Sequence, residues 1–359
     1  MSKNILISTG GSGGHVIPAT IFYEHLKENF KVSITSDQRG AQFLNKLKYD
    51  IKIINTPKLS KNLFLLPFKI FLIIYLIFKS LFFLKRKKVD ILISTGGYMS
   101  LPLCVASKIL NIKIFLFEPN MVLGRANRLF LRFCKKIFCY SDKIKNFPEI
   151  LKNKISIIQT LLRKDFYSVK TSENFNNEIN LLIIGGSQGA KLFDTAINDS
   201  IIKISKKYKL KVFQQINYKN YKNYKNLKIF YSKNNIENEL FDFNESISDF
   251  MSRSNICVTR AGASTLAELT FLNVPYIAIP LPLAKDNHQY ENALFYKDKG
   301  CSWILNQNEL HETSLTNKLI NIIENKDEYL EKKNNMKNFS YQNTWNNINQ
   351  KIISTINEN

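Results

Sequence analysis

The sequence predicts an α/β protein of two domains, each built on a parallel sheet with helices on both faces. Short apolar strands alternate with helical stretches along both halves of the 359-residue chain. A strand, a glycine turn and a helix start also occur twice in the same order, as ILISTGGSGGH at 5–15 and LLIIGGSQGA at 181–190. The two copies lie about one domain length apart, and a chain of this size accommodates two domains.

The first half alternates regularly, and its strands stand out as short apolar runs bounded by turn residues. We expect strands at 3–8, 31–36, 51–55, 89–94, 112–117 and 136–139. We expect helices at 15–29, 39–47, 67–87, 101–109 and 124–133. This alternation is typical of a parallel sheet covered on both faces.

The second half repeats the rhythm after a polar stretch at 163–180, which we interpret as the linker. We expect strands at 180–184, 210–214, 227–231, 255–259 and 275–280, and a helix at 264–272. The segment 216–236 is rich in asparagine and lysine and is interpreted as surface loop. The predicted domains are 1–162 and 163–340, and a last helix at about 341–356 is assigned to the first domain.

The chain is strongly basic, with a formal net charge of +22, while its hydrophobic fraction of 45% is that of a globular protein. Two explanations of the charge stay open: the lysine and asparagine use of an AT-rich genome, or attraction to an anionic membrane or nucleic acid. The five cysteines form no CxxC pair, which argues against a disulfide framework or a zinc site and favours a reducing compartment. The apolar run at 5–7 is only as long as a strand, so we expect no signal peptide.

The most hydrophobic segment is 67–88, expected to be a helix that begins near Pro67. Lys69 and Lys79 leave an uninterrupted apolar run of nine residues, short of the ~20 that cross a bilayer. Together with Lys61 they fall within one stripe roughly 80° wide, so most of the helix surface is apolar. The helix is either buried in a large domain, or it packs with one face and dips into a membrane with another while its flanking Lys and Arg meet lipid phosphates.

The first glycine turn suits an anion, since glycine permits close approach and a helix start offers free N–H groups with a partial positive charge. His15 lies in the first turn of that helix, where a neutral imidazole could act as general base or only hydrogen-bond a phosphate. A nicotinamide dinucleotide is an alternative ligand, because Asp37 follows the second strand at the distance of a ribose contact. Val16, however, replaces the last glycine of that fingerprint.

Three more clusters follow predicted strand ends, where open α/β sheets bind ligands. They read STGGYMSLP at 94–102, FEPNMVLGRANR at 117–128 and RAGASTLAEL at 260–269. In the last cluster, a small-residue turn and a helix start suit a diphosphate, and the Glu268 carboxylate can accept hydrogen bonds from both hydroxyls of a ribose. The segment 280–293, PLPLAKDNHQYENA, follows a predicted strand, and its cluster of polar side chains suits a sugar with many hydroxyls.

Six segments resemble, in order, the motifs of the MurG family, the N-acetylglucosaminyltransferases of peptidoglycan precursor synthesis. They span nearly the whole chain, at 10–19, 95–102, 118–128, 185–190, 260–268 and 288–293. The resemblance implies a GT-B fold, two Rossmann-like domains with a cleft between them. It implies inverting transfer of N-acetylglucosamine from UDP-GlcNAc to the C4 hydroxyl of undecaprenyl-diphosphate-linked MurNAc-pentapeptide (lipid I), giving lipid II. The implied location is the cytoplasmic face of the inner membrane, as a peripheral protein.

The resemblance also implies roles for single residues. His15 is the candidate general base, and Glu118 or Asn127 would orient the acceptor. The first loop would contact phosphate and sugar, and 263–268 would hold the donor's diphosphate and ribose. The substrate-binding positions carried over are Ser12, Gly13, Gly14, Asn120, Arg163, Ser187, Ala263, Ser264, Thr265, Leu266, Ala267, Glu268, Gln289 and Asn292.

Two of the departures from the family pattern affect these roles. Residues 117–120 read FEPN where the family has His-Glu-Gln-Asn, which excludes a catalytic histidine at position 117. Residues 159–162 read QTLL where the family has Gly-Asn-Pro-Val, which changes the backbone before Arg163.

The expected partners are the two substrates, anionic membrane lipids contacted through 61–88, and other proteins of cell-wall synthesis. No Asp-x-Asp motif stands at a strand end, so we expect no required metal or other cofactor. Nucleic acid is not an expected partner, because no nucleic-acid motif is present. Two alternatives stay open: a related glycosyltransferase acting on diacylglycerol, and a non-catalytic nucleotide-sugar-binding membrane protein.

Overall fold

The chain divides into two compact units, each with a fully parallel sheet. The first unit comprises Met1–Arg163 and Trp345–Asn359, and the second Lys164–Thr344. The predicted α/β class with two Rossmann-like domains is therefore confirmed. The computed structural model describes residues 3–45, 47–57, 66–171, 178–186, 191–216, 221–242, 246–310 and 312–359.

The sheet of the first unit has seven strands in the part of the chain that is described. They are β1 Asn4–Ser8, β2 Lys31–Ser36, β3 Ile51–Ile53, β4 Ile91–Ser94, β5 Lys113–Glu118, β6 Lys136–Cys139 and β7 Ile155–Ile157. Their order is β3-β2-β1-β4-β5-β6-β7. The helices that connect them are α1 Gly13–Leu26, α2 Leu66–Arg86, α3 Leu101–Ile109 and α4 Arg125–Phe130.

The second unit repeats this plan with six described strands in the order β10-β9-β8-β11-β12-β13. They are β8 Glu178–Ile184, β9 Lys209–Gln215, β10 Glu237–Phe241, β11 Ile256–Thr259, β12 Tyr276–Ala278 and β13 Trp303–Ile304. Its helices are α5 Asn198–Lys207, α6 Tyr221–Lys233, α7 Ile247–Ser252, α8 Ala263–Phe271, α9 His288–Asp298, α10 Glu312–Glu324 and α11 Lys326–Ser340.

A final helix, α12 Trp345–Glu358, belongs to the first unit. Its first residue stacks on His25 of α1, with ring centroids 3.7 Å apart. Near its end, the Thr355 hydroxyl lies 3.1 Å from the hydroxyl of Ser156 in β7. Ile348, Ile352 and Ile356 of the same helix are buried. Their spacing of one helical turn gives α12 the single apolar face that docks it.

The strand order changes direction once in each sheet, between β1 and β4 in the first unit and between β8 and β11 in the second. Open α/β sheets bind ligands outside the carboxyl ends of the strands at such a point. The two glycine turns follow β1 and β8, while the clusters at 94–102 and 260–269 follow β4 and β11. The topology thus brings each glycine turn beside a motif that is distant in sequence.

The strand expected at 227–231 is wrong, and so is the surface loop expected at 216–236. Most of this segment is the helix α6, and the strand of the region is β10. Leu227 and Tyr231 are 2% and 0% exposed and lie one helical turn apart, so they form a buried helical stripe in a polar background. The sparse apolar residues therefore have the helical period, which the high lysine and asparagine content obscured.

Three smaller differences concern short elements. The helix expected at 39–47 is a single 3-10 turn, Gly40–Phe43. The strands β7 and β13 were not expected, because each has only two or three residues.

All five cysteines are buried and free, and burial raises the pKa of Cys104 to about 12, which makes that thiol unreactive.

Candidate active site

The first glycine turn follows β1 and is held by Asp37. Gly11 has φ of +83°, and its backbone N–H donates to Asp37 Oδ1 over 2.8 Å. The other carboxylate oxygen, Oδ2, accepts from Arg39. Both oxygens are therefore occupied, and the alternative in which Asp37 binds the ribose of a dinucleotide is wrong. Ser12 is the N-cap of α1, and Gly13 and Gly14 form its first turn, where backbone N–H groups point out of the helix end.

His15 lies in the same first turn of α1. Its Nδ1 atom is 2.8 Å from the carbonyl oxygen of Thr95, just after β4. Because a carbonyl only accepts, Nδ1 carries the proton, and in the neutral ring Nε2 holds the lone pair. Gly96 and Gly97 have φ of +91° and +83°, and a Cβ on Gly96 would lie 3.2 Å from Cε1 of the ring. The two glycine turns of the first unit thus orient one imidazole as a potential base.

Glu118, at the end of β5, organises the loop that follows it. It is 2% exposed, and its Oε1 accepts from the backbone and side-chain nitrogens of Asn120 over 3.2 and 2.9 Å. Its Oε2 accepts from the backbone nitrogen of Gly124 over 2.7 Å and from Asn127 Nδ2 over 3.0 Å. Asn127 is itself buried and also donates to the carbonyl oxygen of Phe117. Glu118 and Asn127 are therefore placed to position the loop rather than to exchange a proton.

The second glycine turn follows β8. Gly186 has φ of +78°, the left-handed conformation that glycine favours. Ser187 lies outside the described residues, so its predicted contact with the donor stays a prediction. Arg163 is the last residue of the first unit and is half-buried, directly after the buried Leu161 and Leu162.

The turn after β11 leads into α8, with Gly262 as N-cap. Ala263, Ser264 and Thr265 form the half-buried first turn of this helix, where backbone N–H groups are available to an anion. Leu266 and Ala267 are buried, so their side chains belong to the core, and their predicted contact with the donor stays a prediction. Among the described residues, no group of three His, Cys, Asp or Glu side chains is placed to hold a metal ion.

Three further polar residues are predicted to bind the donor, one on α8 and two on α9. Glu268 is buried on α8, 6% exposed. Asn292 on α9 is 1% exposed, and its Nδ2 donates to the carbonyl oxygen of Ala261 over 3.2 Å. Gln289 Oε1 accepts from the backbone nitrogen of Leu281 over 2.9 Å. The side chains of Asn292 and Gln289 thus tie α9 to the turns that follow β11 and β12.

Arg260 is a structural residue of this site that sequence reasoning missed. Its guanidinium donates to the carbonyl oxygen of Ile279 over 3.1 Å and to Gln307 Oε1 over 2.7 Å. It also lies over the ring of Phe193, 5.2 Å from the centroid, and burial lowers its pKa. An arginine placed directly after a fully buried strand was the signal available, because such a cation needs internal acceptors.

The helix α2 exposes most of its apolar surface. Within the described residues, one helix, Pro67–Arg86, is long enough and apolar enough to cross a membrane, judged by length and composition only. Its mean hydropathy is 2.0, and only 11% of it is buried. The interpretation as a buried helix is therefore wrong. Five aromatic residues with 3- and 4-residue spacing form an aromatic stripe, 55–69% exposed: Phe68, Phe71, Tyr75, Phe78 and Phe82. Near the end of the helix, Leu84 is fully buried and attaches α2 to the core. Lys61 lies outside the described residues.

Two family models match the chain, one for each unit. Residues 5–139 match the glycosyltransferase family 28 N-terminal domain, and residues 180–348 match the glycosyltransferase family 28 C-terminal domain. Solved structures share this fold. The crystal structure of Acinetobacter baumannii MurG has a TM-score of 0.76 and 24% identity, covering 99% of this chain and 100% of that one. The UDP-GlcNAc 2-epimerase from Neisseria meningitidis, bound to UDP-GlcNAc, has a TM-score of 0.67 and 15% identity, with coverage of 99% and 100%.

Curated relatives are similar over the full length. A UDP-N-acetylglucosamine--N-acetylmuramyl-(pentapeptide) pyrophosphoryl-undecaprenol N-acetylglucosamine transferase of Pelagibacter ubique (strain HTCC1062) is 60% identical over 359 residues, all of both chains. A protein of the same name from Rickettsia felis is 34% identical over 335 residues, 90% of this chain and 91% of that protein. The chain therefore belongs to glycosyltransferase family 28 and, within it, to the family of these N-acetylglucosamine transferases, the MurG family.

Proposed function

We propose that the chain transfers N-acetylglucosamine from UDP-GlcNAc to the C4 hydroxyl of lipid I, with inversion at the anomeric carbon, and so makes lipid II. The observation that carries the proposal is the 60% identity, over the whole chain, to a protein named for this transfer. Each unit supports it with a glycine turn and a second motif at the point where the strand order reverses. We assign the acceptor to the first unit and the donor to the second.

His15 is the proposed general base. Its Nε2 takes the proton of the acceptor's C4 hydroxyl as that oxygen attacks the anomeric carbon of the donor. The bond from this carbon to the β-phosphate oxygen breaks, and UDP leaves with the electron pair. The fixed Nδ1 proton supports this role, because it leaves the lone pair on Nε2. A base of this kind typically contributes about 10²–10⁴-fold to the rate.

Glu118 and Asn127 support the acceptor side indirectly. The four hydrogen bonds to the Glu118 carboxylate set the loop that carries Asn120, the residue proposed to place the transferred sugar. Ser12, Gly13 and Gly14 contact phosphate or sugar through the start of α1.

The donor is proposed to lie at the start of α8. The first-turn N–H groups of Ala263, Ser264 and Thr265, with the helix dipole, stabilise the negative charge that develops on the departing diphosphate. We assign the ribose hydroxyls to Glu268 and the sugar hydroxyls to Gln289 and Asn292. Arg163 and Ser187 complete the nucleotide and diphosphate contacts. No metal is required in this scheme, because the turn itself supplies the positive end of a dipole.

Membrane attachment is proposed to occur through α2. The aromatic stripe offers an apolar surface of amphipathic rings, and the basic residues at 85–88 follow it directly. Burial of the rings at the lipid boundary and attraction of the basic run to lipid phosphates act together. We place the protein at the cytoplasmic face of the inner membrane, as a peripheral enzyme whose partners include other proteins of cell-wall synthesis.

The deciding experiment is a transfer assay with labelled UDP-GlcNAc. A short-chain lipid I analogue should give labelled disaccharide-lipid, and diacylglycerol should give none. Product with diacylglycerol alone would replace the proposed acceptor with the alternative one. Tight UDP-GlcNAc binding without transfer to either acceptor would instead identify a non-catalytic binding protein.

A further inference from the structure

We infer that Asp37 is a positioning residue for His15. Asp37 holds the glycine turn after β1 and couples it, through Arg39 and Tyr98, to the glycine turn after β4. The inference rests on the proposed role of His15 as the base. It concerns an aspartate whose only expected role, a ribose contact, is ruled out by its own hydrogen bonds.

The carboxylate of Asp37 lies at the carboxyl end of β2 and is 4% exposed. Its Oδ1 accepts two backbone N–H groups, from Gly11 and from Gly40, each over 2.8 Å. A Cβ on Gly10 would lie 2.7 Å from this oxygen, so the turn approaches the carboxylate as closely as only glycine allows. Hydrogen bonds to a charged acceptor are roughly twice as strong as neutral ones, so Asp37 holds the turn firmly.

The second oxygen extends the contact to the turn after β4. Oδ2 accepts from Arg39 Nε over 3.1 Å and from its terminal nitrogen over 3.0 Å. The same guanidinium donates to the hydroxyl of Tyr98, which directly follows Gly96 and Gly97. One carboxylate thus links two turns that belong to different strands.

These two turns are the ones that set the imidazole. The first leads into α1, which carries His15, and the second supplies both the carbonyl oxygen that holds Nδ1 and the glycine that packs on the ring. Loss of the Asp37 carboxylate removes these hydrogen bonds from both turns. The Nε2 atom of His15 is then no longer held in one position. A displacement of about 1 Å from the reactive geometry can cost about 10²-fold in rate.

The test combines Asp37→Ala, Asp37→Asn and Arg39→Lys with His15→Ala. With the lipid I analogue, Asp37→Ala should lower kcat about 10²-fold and leave UDP binding, measured by calorimetry, within about twofold. Asp37→Asn should lose less, about 10-fold, since its carbonyl oxygen can still accept from the two glycines. In the His15→Ala background, Asp37→Ala should cost almost nothing further, because residues that act as a unit are non-additive.

The matched control is Asp90→Ala. Asp90 also accepts a backbone N–H, from Asn4 over 2.7 Å, but at the opposite end of the same sheet. It should change stability without changing kcat. An equal loss from Asp37→Ala in both His15 backgrounds would overturn the inference, as would a loss confined to stability. If Asp37→Ala does not fold, Asp37→Asn and Arg39→Lys carry the same cycle. An inactive wild type would refute the proposed function instead, so the two failures are distinguishable.

Discussion

The carbonyl oxygen of Thr95 lies 2.8 Å from Nδ1 of His15 and fixes which ring nitrogen carries the proton. His15→Ala should therefore reduce turnover about 10²–10⁴-fold while UDP affinity stays within about twofold. His15→Gln separates the two roles considered for this residue, because glutamine can hydrogen-bond a phosphate but cannot take a proton. Both variants are measured in the lipid I transfer assay. Near-wild-type turnover of His15→Gln would favour phosphate binding over general-base catalysis.

Glu118→Gln should destabilise the first unit, although the glutamine and glutamate side chains have nearly the same shape. The carboxylate accepts four hydrogen bonds, and an amide would point its own N–H group at donors of Asn120 or of Gly124 and Asn127. We expect a loss of at least about 2 kcal/mol in the free energy of unfolding, together with reduced acceptor turnover. The control is Glu149→Gln, an exposed glutamate paired with Lys152, which should leave both quantities unchanged. Equal effects at the two positions would contradict this account.

The aromatic stripe of α2 should determine attachment to lipid. We expect Phe71→Ser and Phe78→Ser each to weaken binding to phosphatidylglycerol vesicles about 10-fold or more, since a fully buried aromatic contributes about 1.5–3 kcal/mol. Tyr341→Ser is the control, because Tyr341 is 81% exposed but lies in the other unit. Vesicle sedimentation measures the binding, with duplex DNA at matched salt as the competing anionic partner. Tighter binding to DNA than to vesicles would refute the membrane role.

Transfer should continue in the presence of excess EDTA. The proposed donor site relies on backbone N–H groups at the start of α8, which a chelator does not remove. We expect the rate of lipid II formation to change less than about twofold after dialysis against chelator. A loss of turnover that Mg²⁺ or Mn²⁺ restores would show that a metal takes part.

Acidification should destabilise the first unit through His25. Burial lowers the pKa of His25 in the folded chain to about 4, against about 6.5 for an exposed histidine. Between these values the unfolded chain binds a proton that the folded chain does not, so stability is complete above about pH 6.5 and falls as the pH drops towards 4. The loss amounts to about 3 kcal/mol at most.

His25→Phe keeps an aromatic ring on Trp345 and should flatten this pH dependence. The chain has two tryptophans, so a Trp303→Phe background leaves Trp345 as the only reporter, within the first unit. Urea unfolding followed by its fluorescence at pH 7.5, 6 and 5 gives the comparison. Parallel pH profiles for the variant and its parent would assign the acid sensitivity to other groups.

The features predicted correctly from the sequence are those that depend on local residue types and their backbone conformation. The glycine turns at 10–11 and 96–97 have the positive φ angles for which glycine is suited, and the alternating strands formed the parallel sheets. Prediction from the sequence failed where distant partners decide. Asp37 has the position of a ribose ligand, but its partner Gly11 lies in the turn that follows a different strand, β1. The helical stripe of Leu227 and Tyr231 becomes evident only through its burial against the second sheet.

The return of α12 to the first unit has a consequence for biosynthesis. Because Lys164–Thr344 lies between the two segments of this unit, the second unit is synthesised before the first unit receives α12. At about 5–20 residues per second, the surface of α1 and β7 that α12 covers stays exposed for roughly 10 to 40 s after β7 is made. During this time His25 and Ser156 lack their partners Trp345 and Thr355. The newly made first unit therefore exposes this surface until α12 has been synthesised.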